Sequence, residues 1–371
     1  MSCSAWPTPV GSSSPPGPAP ARPATRTAIC SPNRTGSPVM TPPAPRGKTE
    51  MSAGRAGYTV GIDVGGTKCL GVILDSDNQV VAETRVATPA GTDNLVEVLA
   101  EVSTELVRIP GEVDAMGFGL PGLLDTEGRF RFAPNLGGPV EAPIAELLSE
   151  RLGRQVWIDN DANCAARAEL RIGAAIGVQD AVLVTLGTGI GSSVIMAGEV
   201  QRGAHGMAGE LGHMTVDAHG EPCACGRRGC WESYASGSGL RRMARTAAIA
   251  ESPSQILVLA GGDLENVRGE HLTRAARDGD VVAVEVLDRF AWWLALGLAN
   301  VSAALDPELM ILGGGLVADW DLYEKPLQKH YSALVLGSGH RPDPAIVPAA
   351  LGERAGAMGA ALLARDEFAS R

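Results

Sequence analysis

Acidic residues are nearly missing from the first fifty-seven positions, where Glu50 stands alone against six Arg or Lys. The same stretch holds 12 of the 25 prolines and has no periodic apolar pattern. Such a segment cannot bury enough apolar surface to offset the entropy of ordering, so it reads as a disordered leader. It lacks the continuous apolar core of about seven to fifteen residues that a secretory signal needs. Its Arg and Ser content fits an organelle transit peptide poorly, because proline at this density forbids the required amphipathic helix. Met51 opens MSAGRAGYTVGID, where ordered sequence is expected to begin, and the leader reads best as an upstream extension or a start assigned too early.

Long apolar runs are also absent. The longest, FAWWLALGLANVSAAL (290–305), is interrupted by Asn300 and falls short of the roughly 20 residues a membrane span needs. Beyond the leader 25 basic residues face 41 acidic ones, a net charge of −16, which argues against nonspecific nucleic-acid binding. We therefore expect a cytoplasmic protein with no membrane and no nucleic-acid partner. The remaining length exceeds what one core usually supports, so two lobes are expected.

Cysteine is scarce and unevenly placed. Cys3 and Cys30 lie in the leader, and Cys69 and Cys164 sit singly in apolar or small-residue contexts as ordinary buried thiols. The other three fall in GHMTVDAHGEPCACGRRGCWE (212–232). His213, Cys223, Cys225 and Cys230 supply one nitrogen and three thiolates, the set of a closed tetrahedral zinc site. Gly226 and Gly229 would let the loop fold back on the metal, and His219 would face solvent. A disulfide framework competes with this reading, but cytosolic chains rarely keep disulfides and no other cysteine is near in sequence. Four protein ligands leave no open position for water, so the zinc would be structural.

From Tyr58, YTVGIDV, a GGTK turn and CLGVILDSDNQVVAETRVA predict three strands joined by tight turns. A helix (94–109), the strand VDAMGFGL, the helix APIAELLSERLG, the strand QVWID and the helix ANCAARAELRIG follow. DAVLVTLGTGIGSSVIMAGEV (180–200) then starts the same device again, which suggests an internal duplication. The rest predicts mostly helix, one strand (ELMILGG) and a closing helix, ERAGAMGAALLARDEF. The expected domains are a leader (1–57), a smaller α/β lobe (58–165 plus about 355–371) and a larger one carrying the cysteine loop (166–354), with a ligand cleft between.

Each lobe then carries a glycine turn at the carboxyl end of a strand, where backbone N–H groups can approach an anion and threonine adds donors. Neither turn matches G-x4-G-K-[ST] or G-x-G-x-x-G, which argues against P-loop and dinucleotide-binding classes. Two ordinary hairpin turns are the plain alternative. Asp63, before the first turn, could hold Mg2+ directly or through water. In WIDNDANC (157–164) a strand delivers Asn160, Asp161 and Asn163 to a helix start. Helix capping is the structural reading of this segment. The functional one is that an aspartate takes a proton from a substrate hydroxyl during phosphoryl transfer.

DVGGTK (63–68), GLPG (119–122), APNLGG (133–138), NDAN (160–163), TLGTGIGS (185–192), GMAGELGHM (206–214), CACGRRGCWE (223–232) and ILGGGL (311–316) resemble, in order, the motif series of the ROK family of repressors, open reading frames and sugar kinases. The resemblance runs from about Tyr58 to near the C-terminus and is strongest to ATP-dependent glucokinases of actinobacterial type. It implies an actin-like (RNase H-like), duplicated two-lobe α/β ATPase fold with an inter-lobe cleft. It implies Asp161 as general base, and Gly119, Asn135, Asn160, Glu210, His213 and Glu232 around the sugar. It implies Asp63, Gly65, Gly66, Thr67, Lys68, Thr188 and Gly189 around Mg-ATP, with Gly313, Gly314 and Gly315 near the adenosine. The zinc would brace His213 and carry Glu232 into place. Three rivals remain: a kinase for another hexose such as N-acetylmannosamine or fructose, or one using polyphosphate; an inactive scaffold; and a sugar-responsive repressor, for which a proline-rich leader stands where a helix-turn-helix belongs. A homodimer or homotetramer is expected, although core is the default reading of the FAWWLALGL helix.

Overall fold

In the computed structural model the described residues are 57–89, 91–109, 112–132, 141–250 and 254–371. The leader reading, short of Gly57, and the reading of Asn135 lie outside them.

The first sheet starts with β1 (Tyr58–Val64), β2 (Lys68–Leu74), β3 (Val80–Ala87) and β4 (Val113–Leu120); β5 (Leu123–Leu124) and β6 (Phe130–Phe132) form a small ribbon, and β7 (Trp157–Asn160) completes the sheet in the order β3-β2-β1-β4-β7. The second sheet holds β8 (Ala181–Leu186), β9 (Ile190–Met196), β10 (Glu199–Val200), β11 (Leu309–Gly313) and β12 (Ala345–Pro348), in the order β10-β9-β8-β11-β12. In each sheet the first two pairings are antiparallel and the last two parallel. The duplication expected from the repeated turn is thus present in the topology.

The helices are α1 (Thr92–Val107), α2 (Ile144–Leu152), α3 (Asp161–Ile172), α4 (Glu232–Ala235), α5 (Gly237–Ala250), α6 (Gln255–Leu259), α7 (Gly269–Arg277), α8 (Val281–Leu305), α9 (Trp320–Leu334) and α10 (Ala355–Ala369). With α1 matching α8, α2 matching α9 and α3 matching α10, both halves run β-β-β-α-β-α-β-α, the second with α4 to α7 inserted. Two elements differ from the sequence reading. The second half has two parallel strands after its hairpin, not one: β12 is four residues long, partly exposed and closed by Pro348, too short to show a period and placed at an edge where proline is tolerated. The β5–β6 ribbon was not anticipated for the same reason of length.

β1, β2 and β4 are apolar almost throughout because both faces are covered, whereas the edge strand β3 alternates exposed and partly buried residues. Phe290, Ala291, Leu294, Ala295 and Leu298 of α8 are buried in the second lobe's core, with Trp292 at its surface, so the default reading of FAWWLALGL holds. Among the described residues no helix is long and apolar enough to cross a membrane.

Between the sheets lie α3 and α10. The helix α10 packs on β1 and β4, and α3 on β8 and β9. The approach is close because small residues meet. A Cβ on Gly61 would fall 2.0 Å from the Ala357 carbonyl oxygen, one on Gly117 1.9 Å from that of Ala360, and one on Gly359 1.6 Å from that of Cys164. Glu169, fully buried, accepts from the N–H groups of Ala174 (2.7 Å), Ala350 (3.1 Å) and Leu351 (2.9 Å), tying the end of α3 to the segment that leads into α10. Substituting Gly359 by Ala must push the helices apart, and should cost about 1–3 kcal/mol. A urea midpoint equal to that of the parent would show that the helices tolerate the extra methyl.

Candidate active site

Strand β7 ends at Asn160, whose Oδ1 accepts from the N–H groups of Ala162 (2.8 Å) and Asn163 (3.2 Å) and so caps α3. Its Nδ2 donates to the Gly122 carbonyl at 3.2 Å. Asn160 thus makes the cap, and Asp161, the next residue, lines the space between the sheets. Asp161 Oδ1 accepts from the Ala162 N–H at 2.9 Å. Burial pushes this carboxyl up to about 6, against the opposing pull of the hydrogen bonds it receives from backbone N–H groups and from Asn160.

Two cavities meet there. The larger, about 500 Å³, reaches from Gly66, Thr188 and Gly189 to Glu210, His213 and Glu232. The smaller, about 180 Å³, is walled by Asp63, Gly313, Glu353 and Gly356. Asp161, Thr185 and Gly314 line both. Asp63 Oδ1 is buried with no hydrogen-bond partner, and its carboxyl is held well above the usual range by burial and then by the Asp161 charge. Glu210 is pushed up to about 7 by burial, then by the charges of Asp161 and Glu232. The cleft is thus an anionic, partly dehydrated space with two glycine turns at its rim.

The four residues of the cysteine segment converge: the ligand atoms of His213, Cys223, Cys225 and Cys230 all lie within 4.8 Å of one another. Cys225 and Cys230 Sγ are 3.7 Å apart, and Cys223 Sγ is 3.7 Å from His213 Nδ1. Sulfur atoms bound tetrahedrally at about 2.3 Å sit about 3.8 Å apart, whereas a disulfide needs about 2.05 Å. The spacing therefore fits a metal, and the thiols stand free and too far apart for a disulfide bond in this structure. Gly226 (φ 87°) and Gly229 (φ 69°) adopt left-handed conformations, and a Cβ on Gly229 would fall 1.5 Å from the Asp217 carbonyl. With Nδ1 turned to the thiols, His213 keeps Nε2 for the cleft it lines.

Glu232 links this loop to the second glycine turn. Its Oε1 lies 3.0 Å from Cys223 Sγ and 3.5 Å from His213 Nδ1, while Oε2 accepts from the Ile190 N–H at 3.2 Å. A Cβ on Gly189 would come within 2.4 Å of that Oε2, so glycine there leaves the carboxylate its place. Behind the loop, Trp231 is fully buried, lies against Gly297 of α8 and donates from Nε1 to the Trp293 carbonyl at 2.8 Å. His219 is exposed; Cys69 and Cys164 are buried free thiols.

Some residues read from the sequence stand apart from the cavities. Lys68 pairs with the Glu353 carboxylate at 2.8 Å. The Gly65 N–H closes its own turn on the Lys68 carbonyl at 2.9 Å, Thr67 is exposed, and Gly315 begins a 3-10 helix. Gly119 is buried in the sheet between Asp63 and Asp159, and does not line the cleft, where Pro121 and Gly122 do. Among the cavity residues that went unread are Thr185, Arg227 and Glu353. Thr185 had a signal, since VTLGTG aligns with IDVGGT and sets it opposite Asp63. Arg227, whose Nη2 donates to the His213 carbonyl at 2.8 Å, could have been suspected from its place within the cysteine loop.

A duplicated β-β-β-α-β-α-β-α unit with a polar cleft between its halves is the actin-like architecture of two-lobed ATPases. The ROK family model matches residues 59–367, and the chain belongs to that family. It is 37% identical to the glucokinase of Streptomyces coelicolor over 313 residues, 84% of this chain and 98% of that protein. The crystal structure of a ROK family glucokinase from Streptomyces griseus in complex with glucose and AMPPNP superposes with a TM-score of 0.76 at 37% identity, over 84% of this chain and 100% of that one. The xylose repressor of Bacillus subtilis is also 30% identical, over 85% of this chain and 78% of its own length. Family membership alone therefore leaves the activity to be argued from the site.

The raised Asp161 carboxyl has a stability consequence. Its folded value near 6 exceeds the ordinary 3.8, so its contribution is fully present below about pH 4 and is lost as pH rises through 6. Asp161→Asn should therefore stabilise the ligand-free protein at pH 8, by up to about 3 kcal/mol, with the gain vanishing near pH 4. Chemical unfolding at both pH values checks this, and a destabilised variant at pH 8 would contradict it.

Proposed function

We propose that the protein is an ATP-dependent hexokinase-type phosphotransferase that converts ATP and D-glucose to ADP and D-glucose 6-phosphate. The observation that carries this is Asp161, a carboxylate at the junction of two cavities, the larger with room for a sugar among acidic and imidazole groups and reaching both glycine turns, the smaller walled by Asp63 and Gly313. In this reading Asp161 accepts the proton of the 6-hydroxyl as its oxygen bonds to the γ-phosphorus and the bond to the β–γ bridging oxygen breaks. Asn160, Glu210, His213 and Glu232 hold the other hydroxyls. Such a set rejects analogues that leave buried polar groups unpaired. Thr188, Gly189 and Gly66 face the phosphates, and Gly313 and Gly314 the nucleoside side. Asp63, with an orphaned buried oxygen, suits Mg2+, which would neutralise phosphate charge. The complex of the Streptomyces griseus relative with glucose and AMPPNP supports both substrates.

For the cysteine loop we propose one structural zinc held by His213, Cys223, Cys225 and Cys230, bracing His213 and Glu232 toward the sugar. A cytoplasmic homodimer or homotetramer is our reading of its setting, with Val281, Val284 and Trp292 the outward apolar residues of α8.

A coupled ADP-release assay across glucose, mannose, fructose, N-acetylglucosamine and N-acetylmannosamine, with polyphosphate as alternate donor, should give the highest kcat/KM for glucose with ATP; no turnover on any sugar together with promoter-DNA binding would favour a repressor. Asp161→Asn should lower kcat at least about 100-fold while calorimetry still detects glucose binding. The parent's kcat/KM should climb as pH passes 6 and the base loses its proton. Metal analysis of the purified protein should find close to one zinc per chain, and Cys225→Ser should lose it and weaken glucose binding; metal-free protein with unchanged glucose affinity would remove the brace.

A further inference from the structure

Behind Asp161 lies a polar contact that this chemistry does not use. Asp159, near the end of β7, is 1% exposed, and its Oδ1 is 3.2 Å from Nε of Arg202, which follows β10. Strands β7 and β10 are edge strands of different sheets, so the ion pair bridges the two lobes. On one side, Asp159 Oδ1 also accepts from Asn163 Nδ2 at 3.1 Å, and Asn163 Oδ1 accepts from the Ser193 hydroxyl at 2.7 Å. On the other, the Arg202 carbonyl accepts from the Ala208 N–H at 3.1 Å and closes a loop. That loop rests on the β5–β6 ribbon, where a Cβ on Gly206 would come within 2.8 Å of the Leu124 carbonyl. Glu210 leaves the loop directly, and Asp161 follows Asp159 by two residues. The pair thus ties together the elements that carry these two carboxylates.

The tie is not fully made. Asp159 Oδ2 and Arg202 Nε are both buried without a hydrogen bond, although the charges stand at ion-pair distance. A buried donor and acceptor left unaligned are unfavourable, and a slight rotation of one lobe toward the other would align them.

We propose that Asp159 and Arg202 form a cross-lobe positioning pair that sets the Glu210 loop against Asp161 and aligns when sugar draws the lobes together. The proposal rests on the sugar-phosphorylation reading. It deepens that reading by making sugar affinity, and not nucleotide affinity, depend on a contact that touches neither substrate.

The test uses the full chain with Arg202→Met, Arg202→Lys and Asp159→Asn. Arg202→Met and Asp159→Asn should each raise the KM for glucose about tenfold or more and leave that for ATP within about twofold. Arg202→Lys, which keeps the charge but not the planar fork, should fall between parent and Arg202→Met. Hydrogen exchange in residues 202–214 should quicken in Arg202→Met without sugar, and glucose should protect that segment less, while α8 exchanges as in the parent. Unchanged glucose KM and unchanged exchange would overturn the proposal, as would equal rises in both KM values with faster exchange in α8, the pattern of general loosening. If Arg202→Met does not fold, the other two variants decide. A parent that phosphorylates no sugar would sink the functional reading instead, and exchange in 202–214 would still report whether the pair positions the loop.

Discussion

The arrangement depends on one placement: a carboxylate on the first residue of α3, where β7 hands the chain from one sheet to a helix packed against the other. The helix start keeps Asp161 rigid, since Asn160 occupies the cap and the strand fixes its approach. The junction lies where both cavities open, so a group there can face a bound alcohol and a phosphate at once. Elsewhere in either sheet the side chain would be locked in packing or exposed to water.

That placement makes the empty cleft electrostatically uncomfortable. Burial and then the charges of Asp161 and Glu232 raise the proton affinity of Glu210, burial and then the Asp161 charge raise that of Asp63, and Asp63 keeps an unpartnered oxygen. Carboxylates gathered without cations are satisfied by hydroxyl donors on one side and by a metal with its phosphates on the other. The same charges repel an anion that arrives without a cation. Each substrate thus relieves part of a cost the protein carries alone, and each in turn favours closed lobes.

How far the sequence disclosed this varied with the range of the interaction. Strands of seven or eight apolar residues were legible, and the repeat of a glycine turn after an apolar strand was enough to predict the duplicated sheets. Cysteine spacing was enough to predict convergence, because a short loop with two glycines has few ways to arrange three sulfurs. What failed was short or tertiary. The strand β12 offers four residues with no period. The side-chain directions of Asp159, Asn160 and Asp161 depend on how β7 joins α3, so the residue pattern alone left the two aspartates open and only the family resemblance singled out Asp161. Lys68 is drawn to Glu353, far along the chain, and Gly119 makes room inside the sheet. Neither partner is visible locally, and Asn135 lies outside the described residues.

The cysteine loop shows why a metal would be favoured there over more core. Residues 215–230 contribute glycine, proline and polar side chains, with Cys230 buried but few large apolar groups to bury. A loop so composed cannot hold its shape by packing, yet it presents His213 on one side and Glu232 on the other. Trp231 anchors only the far edge, lodged against Gly297, where any side chain would collide with its ring. Tetrahedral ligation fixes four points within a few ångströms and needs no apolar volume, so a bound metal would stiffen the wall of a polar cleft without making that wall hydrophobic. A packed apolar plug would give equal stiffness but would strip the cleft of the acceptors that distinguish one sugar from another.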